Sequence, residues 1–356
     1  MGESRIYFSR LDILRFIAFL LVFWQHAFSN AFATIDFIDA YLIKALTMTG
    51  GYGVQIFFVL SGFLITFLLI KELDLNGKIS LGSFYLRRAL RIWPLYYIVM
   101  LVGIFVLPSF FNTIQFCGSP HLSLLFLNNF DVHPECTTSV GMAWSVAIEE
   151  QFYLFWPILF MSLKRTPKIL FFSSLSLFLF SFIFNILYPD ESYFHTYGNI
   201  LYLMAGCMGA IIYIRNGELL KSEKFLNRKG FIISITVALF FIVFMVPFKF
   251  IVFPVLFLYI ILYLVHLDEN SQRITLFTRL GKYTYGMYMY HPALILLTKI
   301  LFEKLGLNYK ENLLLHISMS VLILLLTILV SRISYNIFEK PILAFKSRFA
   351  TVKTRI

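Results

Sequence analysis

The sequence predicts an all-α fold, a polytopic membrane bundle of about ten transmembrane helices with both termini in the cytoplasm. Three observations predict it. Of 356 residues, 59% are hydrophobic and only 14% are charged, whereas soluble domains carry roughly 45–50% apolar and about 25% charged residues. Apolar stretches of bilayer-crossing length, roughly 17–25 residues, recur along the whole chain. Basic residues, finally, fall on alternate sides of those stretches.

Taken in order, the apolar stretches lie near residues 11–33, 50–70, 84–107, 142–163, 168–188, 197–214, 230–246, 248–266, 283–302 and 313–337. The seventh and eighth are joined by a very short connection around Pro247. With the N-terminus inside, 24 of the 30 Lys and Arg fall on inner segments and five (Lys44, Lys249, Lys299, Lys304, Lys310) fall outside, with Arg15 within the first helix. This asymmetry is the positive-inside pattern, and it places both termini in the cytoplasm. It also accounts for the net charge of +11, so the charge gives no separate support for nucleic-acid binding. The first stretch follows Arg5, Arg10 and Asp12 with no small-residue cleavage pattern, and reads as a retained helix rather than a signal peptide. Residues 1–345 are expected to form one membrane domain, and 346–356 a short basic cytoplasmic tail.

The three cysteines are Cys117, Cys136 and Cys207. None forms a CxxC pair, so no zinc or thioredoxin-like motif is supported and no metal is expected. Cys117 and Cys136 share the longest outer segment, 108–141, which lacks Lys and Arg. They are either a disulfide closing a short loop or two free thiols.

Ionisable side chains inside a membrane span are costly, by about 2.5–3.5 kcal/mol on insertion scales, and so point to function. Five segments carry them or interrupt the apolar pattern. In RLDILRFIAFLLVFWQHAF, Asp12 and Arg15 are three apart and can pair. Arg15 and His26 return to nearly the same face, roughly 16 Å apart along the axis. In GGYGVQIFFVLSGFLI, Ser61 and Gly62 suit either close helix packing or a substrate contact, and Gln55 lies near the outer end. In FYLRRALRIWP, Arg87, Arg88 and Arg91 form a guanidinium group suited to a phosphorylated cytosolic cofactor. In WSVAIEEQFYLFWPIL, Glu149 lies about 10 Å below the outer face, at a depth like that of His26. A carboxylate there can orient the imidazole as a general base. In LGKYTYGMYMYHPALI, His291 beside Pro292 reads as a packing residue at a proline kink.

These segments, in this order, resemble acyltransferase family 3, the membrane acyltransferases that include bacterial O-antigen and exopolysaccharide O-acetylases. The LDxLR…H opening matches Leu11 to Arg15 and His26, and GVxxFFVLSGFLI matches 53–65. FxxRRxxRIxP matches Phe84, Arg87, Arg88, Arg91, Ile92 and Pro94. WSLSVEEQFYLxWP appears as WSVAIEEQFYLFWP from Trp144, and LGxxSYGxYLxHxP lies near 280–292. The closing ExP is Glu339 and Pro341. Ala147-Ile148 replaces the usual Ser-Val, and Gln55 stands where an acidic residue is common. Some relatives carry a C-terminal esterase-like domain, for which this chain is too short. Acceptor handling is then expected of the membrane domain or a partner.

The resemblance implies transfer of an acyl group, usually acetyl from acetyl-CoA, to a carbohydrate hydroxyl at the inner (cytoplasmic) membrane. The acceptor would be O-antigen, exopolysaccharide, capsule, peptidoglycan or a small glycoside. It implies catalytic roles for His26 and Arg15, with Glu149 and Asp12 beside them, and donor binding by Arg88 and Arg91, with Arg87 and Ser61 nearby. His26 would act as general base or as an acylated relay. The rival readings are a glycan or lipid transporter, which intramembrane Arg, His and Glu also suit, and a lipid-linked-sugar glycosyltransferase using outer-loop acids such as Asp36 and Asp39. A transporter has no use for an arginine fork aimed at an acyl donor.

Overall fold

The computed structural model describes residues 7–28, 48–134, 136, 138–163, 166–217, 224–244, 249–270 and 275–346. Arg5, the first outer loop with Asp36, Asp39 and Lys44, and most of the basic tail expected at 346–356 lie outside them. Among the described residues the secondary structure is helical, without strands. Ten helices are 16 residues or longer: α1 (Ser9–Phe28), α2 (Gly50–Asn76), α3 (Leu81–Leu101), α4 (Ala143–Ser162), α5 (Pro167–Leu187), α6 (Thr196–Arg215), α7 (Arg228–Val243), α8 (Lys249–Asn270), α9 (Thr284–Lys304) and α10 (Leu313–Ser334). Each overlaps one expected stretch.

Seven of them, with their extensions, are long and apolar enough to cross a membrane: α1, α2, α3, α5, α6, α8 and α10. The protein is therefore a multi-pass membrane protein. The expected count of ten is not reached on this criterion, for local reasons. The seventh helix has only 16 residues. Ser145, Glu149, Glu150 and Gln151 dilute the fourth, and tyrosines and His291 dilute the ninth. The lipid-facing character is plain on α5, where Phe172, Leu179, Phe180, Ile183 and Ile186 are exposed. With no water in the bilayer core, such a surface is the stable one.

Local sequence sets the helix ends. α2 stops at Gly77, whose φ of +66° is the left-handed cap that a residue without Cβ adopts freely. Ser80 caps α3 by accepting from Ser83 N–H, and Asn312 caps α10 by accepting from Leu315 N–H. α1 is capped from another helix. Asp268 of α8 accepts from Arg10 N–H and from the Ser9 hydroxyl, each at 2.7 Å, and its carboxylate also pairs with the Arg10 guanidinium. An anion at a helix N-terminus is favoured by the dipole, so this contact ties α1 to α8.

The tightest helix crossing is between α2 and α6. A Cβ on Gly62 would meet the Leu203 carbonyl, and one on Gly206 would meet Val59 carbonyl and Phe63 amide atoms. Small residues let the two backbones approach in this way. Of the two roles open to Ser61-Gly62, packing thus falls to Gly62. Ser61 turns elsewhere, as described below.

The segment between α3 and α4 folds as a cap at the end of the bundle opposite to Arg279 and Lys282. Cys117 and Cys136 are joined there in a disulfide, while Cys207 is free and buried. Gln151 of α4 pins this cap from below. It donates to the carbonyl of Phe126 at 2.8 Å and to Asn129 at 2.7 Å, and accepts from Thr196.

Two outcomes follow from the packing. Gly206→Val should lower stability by about 1–3 kcal/mol, the usual cost of overpacking, measured as a fall in the unfolding temperature in detergent. Thiol labelling of the unfolded, unreduced protein should modify one cysteine, and three after reduction. Three labelled thiols without reduction would contradict the bridge.

Candidate functional site

Helices α1, α2, α3, α4 and α9 converge on one cavity of about 730 Å³, within the range typical of small-molecule sites. Its mouth lies at the basic end of the bundle, among Tyr7, Asp12, Arg279, Lys282 and Glu339. Its deep end is formed by Val54, Phe57, Ser145 and Tyr288. Six of the residues expected from sequence line it: Asp12, Arg15, Ser61, Arg88, Arg91 and Glu149. They come from four different helices, separated by up to 137 positions in the chain.

The charges in this cavity are unevenly paired. Arg15 pairs with Asp12 across one turn of α1, and Tyr7 donates to the other Asp12 oxygen at 2.9 Å. Glu149 is held by neutral donors. Ser61 donates to one oxygen at 2.6 Å and Tyr153 to the other at 3.1 Å, while Tyr153 also reaches the Ser61 oxygen. Arg88 lies between the rings of Phe84 and Tyr153, at 5.6 and 5.5 Å, and its buried Nε has no hydrogen-bond partner. Arg91 makes no hydrogen bond or ion pair with the described residues; Arg15, Tyr153, Asp12 and Glu149 are its charged and polar neighbours. Guanidinium groups in an apolar-walled cavity with unused donors are suited to a planar or tetrahedral oxyanion.

Two expected members lie elsewhere. Arg87, expected beside the donor, forms a buried ion pair with Glu72 at 2.8 Å, and Glu72 also accepts from Ser80 N–H at 3.0 Å. Its side chain thus braces the turn between α2 and α3, because it leaves the helix about 100° away from Arg88. His26 lies beyond the deep end of the cavity and does not line it. The ring that meets it is His291, not a carboxylate: the centroids are 5.2 Å apart, edge to face. The expected approach of Glu149 to His26 is replaced by separate partners for each.

His291 is fully buried, and its position follows from the next residue. Pro292 has no N–H, so the carbonyl four residues before it, that of Tyr288, lacks its helical partner. His291 Nδ1 supplies it at 2.8 Å. The proton is thereby placed on Nδ1, and Nε2, which has no partner, keeps its lone pair. Tyr288 closes the cavity: its hydroxyl shares a hydrogen bond with Ser145 at 2.7 Å, and its ring lies 5.7 Å from that of His291. Cavity, Tyr288, His291 and His26 therefore follow one another from the basic end toward the opposite end.

Sequence reading missed Tyr153, four residues after Glu149 and so on the same helix face, and gave no role to Glu339, which the closing ExP pattern contains. His291 was expected to pack at a proline, and it does so, but its contact with His26 carries no sequence signal. Among the described residues no group of His, Cys, Asp and Glu is arranged to hold a metal.

Comparison with known proteins identifies the family. The family described as acyltransferase domain, family 3 of the acyltransferases, matches residues 8–334. The peptidoglycan O-acetyltransferase OatA of Listeria monocytogenes is 28% identical over 349 residues, covering 88% of this chain and 54% of that protein. The O-acetyltransferase OatA of Staphylococcus aureus strain NCTC 8325 is 28% identical over 352 residues, covering 88% and 56%. A putative O-acetyltransferase of Staphylococcus aureus strain COL is 35% identical over 206 residues, covering 52% and 34%. The chain thus spans about half the length, or less, of these curated relatives. No solved structure matches it significantly. With a match across nearly its whole length, the chain belongs to the acyltransferase 3 family.

Proposed function

We propose that this protein transfers an acetyl group from acetyl-CoA, bound from the cytoplasmic side, to a hydroxyl of a cell-envelope carbohydrate of the peptidoglycan kind. The observation that carries the reading is the cavity at the basic end, with Arg88 and Arg91 unmatched by carboxylate partners. A phosphorylated donor suits that excess of positive charge. The positive-inside pattern supports a cytoplasmic mouth, where acyl-CoA is available. The O-acetyltransferase names of the relatives support acetyl as the group, and the Listeria relative's name supports a peptidoglycan acceptor.

Each residue then has a defined task. Arg88 and Arg91 hold the donor's phosphate oxygens, with Arg15 kept in place by Asp12. Ser61 and Tyr153 hold Glu149 fixed beneath them. His26 takes the proton of the acceptor hydroxyl as its oxygen bonds to the acyl carbon, and returns that proton to the thiolate released when the carbon–sulfur bond breaks. Imidazole suits this step because its ordinary pKa lies near neutral pH. His291, held in the Nδ1–H tautomer, packs its ring against that of His26 and so limits the orientation of the proposed base.

The test is transfer of radiolabel from acetyl-CoA to glycan in membranes. His26→Ala should lower the rate by about 10²–10⁴-fold, the usual contribution of a positioned acid–base group, at unchanged expression. Arg88→Ala should raise the KM for acetyl-CoA at least about tenfold, since a charge-assisted contact is worth about 1.5–3 kcal/mol. Wild-type rates in His26→Ala would remove the base assignment. No donor turnover by the wild-type protein, with several acyl-CoAs and native glycans present, would favour the transporter reading.

A further inference from the structure

A second cavity, of about 490 Å³, lies at the opposite end of the bundle between the first turns of α2, α6 and α8. Its walls are chemically unlike those of the first. Three tyrosines, Tyr52, Tyr193 and Tyr202, line it together with the amides Gln55 and Asn199 and with Lys249. No acidic side chain occurs among its described lining residues.

The polar atoms of this cavity are prepared but not used up. Asn199 donates its amide hydrogens to the carbonyls of Ser192, Tyr193 and His195, at 3.3, 2.8 and 3.0 Å, and thereby shapes the loop that carries Tyr193. Its own carbonyl oxygen has no partner among the described residues. Lys249 donates to the Tyr52 hydroxyl at 2.7 Å, which fixes that ring's orientation. Tyr193 is braced from behind by Trp144, with ring centroids 5.2 Å apart. Gln55 makes no hydrogen bond with the described residues, and its Oε1 is buried without a partner. A buried carbonyl oxygen left unpaired is unfavourable, and a ligand hydroxyl placed against it removes that penalty.

We infer that this outer cavity is the acceptor subsite, taking one or two sugar rings of a neutral or anionic glycan, with tyrosine faces against the ring carbons and Gln55 Oε1 accepting from a sugar hydroxyl. Aromatic walls supply apolar contact, while amide acceptors, that of Asn199 anchored by its own Nδ2 hydrogen bonds, discriminate by hydroxyl pattern, as sites built to bond a substrate hydroxyl do. With no acidic side chain among the described lining residues and with Lys249 present, these walls suit a neutral or anionic ligand better than a cation. Position supports the assignment. Gln25, which lines this cavity, precedes His26 on α1. α2 presents Gln55 to the outer cavity and Ser61, a turn and a half further on, to the inner one. The inference rests on the acetyltransferase reading for its use of the sugar, though not for the binding itself.

Calorimetric titration of the purified protein in detergent with an N-acetylglucosamine tetrasaccharide, without donor, tests it. The wild-type protein should bind saturably. Gln55→Leu and Tyr193→Ala should each weaken binding about tenfold, and Gln55→Glu, which keeps an acceptor oxygen, should recover most of it. In turnover the same variants should raise the acceptor KM about tenfold with the acetyl-CoA KM within twofold, and thermal unfolding should show each variant folded. No saturable binding by the wild type, or wild-type affinity in both Gln55→Leu and Tyr193→Ala, overturns the inference. Sugar binding by a wild-type protein that transfers no acetyl would instead overturn the proposed function and leave this subsite standing.

Discussion

The constraint on which the rest of this structure depends is the placement of guanidinium groups inside an apolar bundle. A charge out of water must be paired, hydrogen-bonded or supplied with a ligand. Arg10, Arg15 and Arg87 meet the requirement with Asp268, Asp12 and Glu72. Those three pairs also do structural work, joining α1 to α8, fixing the first turns of α1, and holding the turn between α2 and α3. Arg88 and Arg91 do not meet it. Of the carboxylates lining the same cavity, Asp12 pairs with Arg15 and Glu149 is bonded to Ser61 and Tyr153, which leaves the two guanidiniums with unused donors. Paired arginines thus brace the helices, and the two left over face the cavity with donors unused.

Much of this was legible in the sequence, because polarity stands out against apolar runs. Asp12, Arg15, Ser61, Arg88, Arg91 and Glu149 are conspicuous for that reason, and all six line one cavity. Their partners were much less legible. Counting residues from a helix end fixes depth along the axis and says nothing about direction around it. His26 and Glu149 have similar depths by that count, yet Glu149 meets Ser61 and Tyr153 while His26 meets His291. Arg87 illustrates the same limit. In a run of three arginines within five positions, one residue faces away from the other two, and its partner Glu72 belongs to a different helix.

His291 shows how a residue can fill a structural role while standing next to the histidine proposed as the base. Pro292 removes an N–H and leaves the Tyr288 carbonyl to be satisfied. The imidazole does this with Nδ1, a local requirement of α9. The same bond fixes the tautomer, and so leaves a lone pair on Nε2 beside His26. Packing and tautomer are here consequences of one hydrogen bond, so the reading of a histidine packed at a proline describes one of the two.

The two cavities are related through α2. Its residues 54, 57, 58 and 61 line the inner cavity, and 51, 52 and 55 line the outer one. A helix that lines a cavity on each of two faces, over barely three turns, is central to the bundle at that level. Its neighbours agree. α2 lies against α6 at Gly62 and Gly206, and against α1 at Gly53, where a Cβ would meet the Ala18 carbonyl and Val22. Such close approach leaves little freedom for α2 to slide, since any axial shift would bring side chains onto facing backbone. The partition between the two cavities is therefore a rigid element. A rigid divider between two chemically unlike cavities suits two separate binding sites better than a single path for one substrate, which favours group transfer over transport.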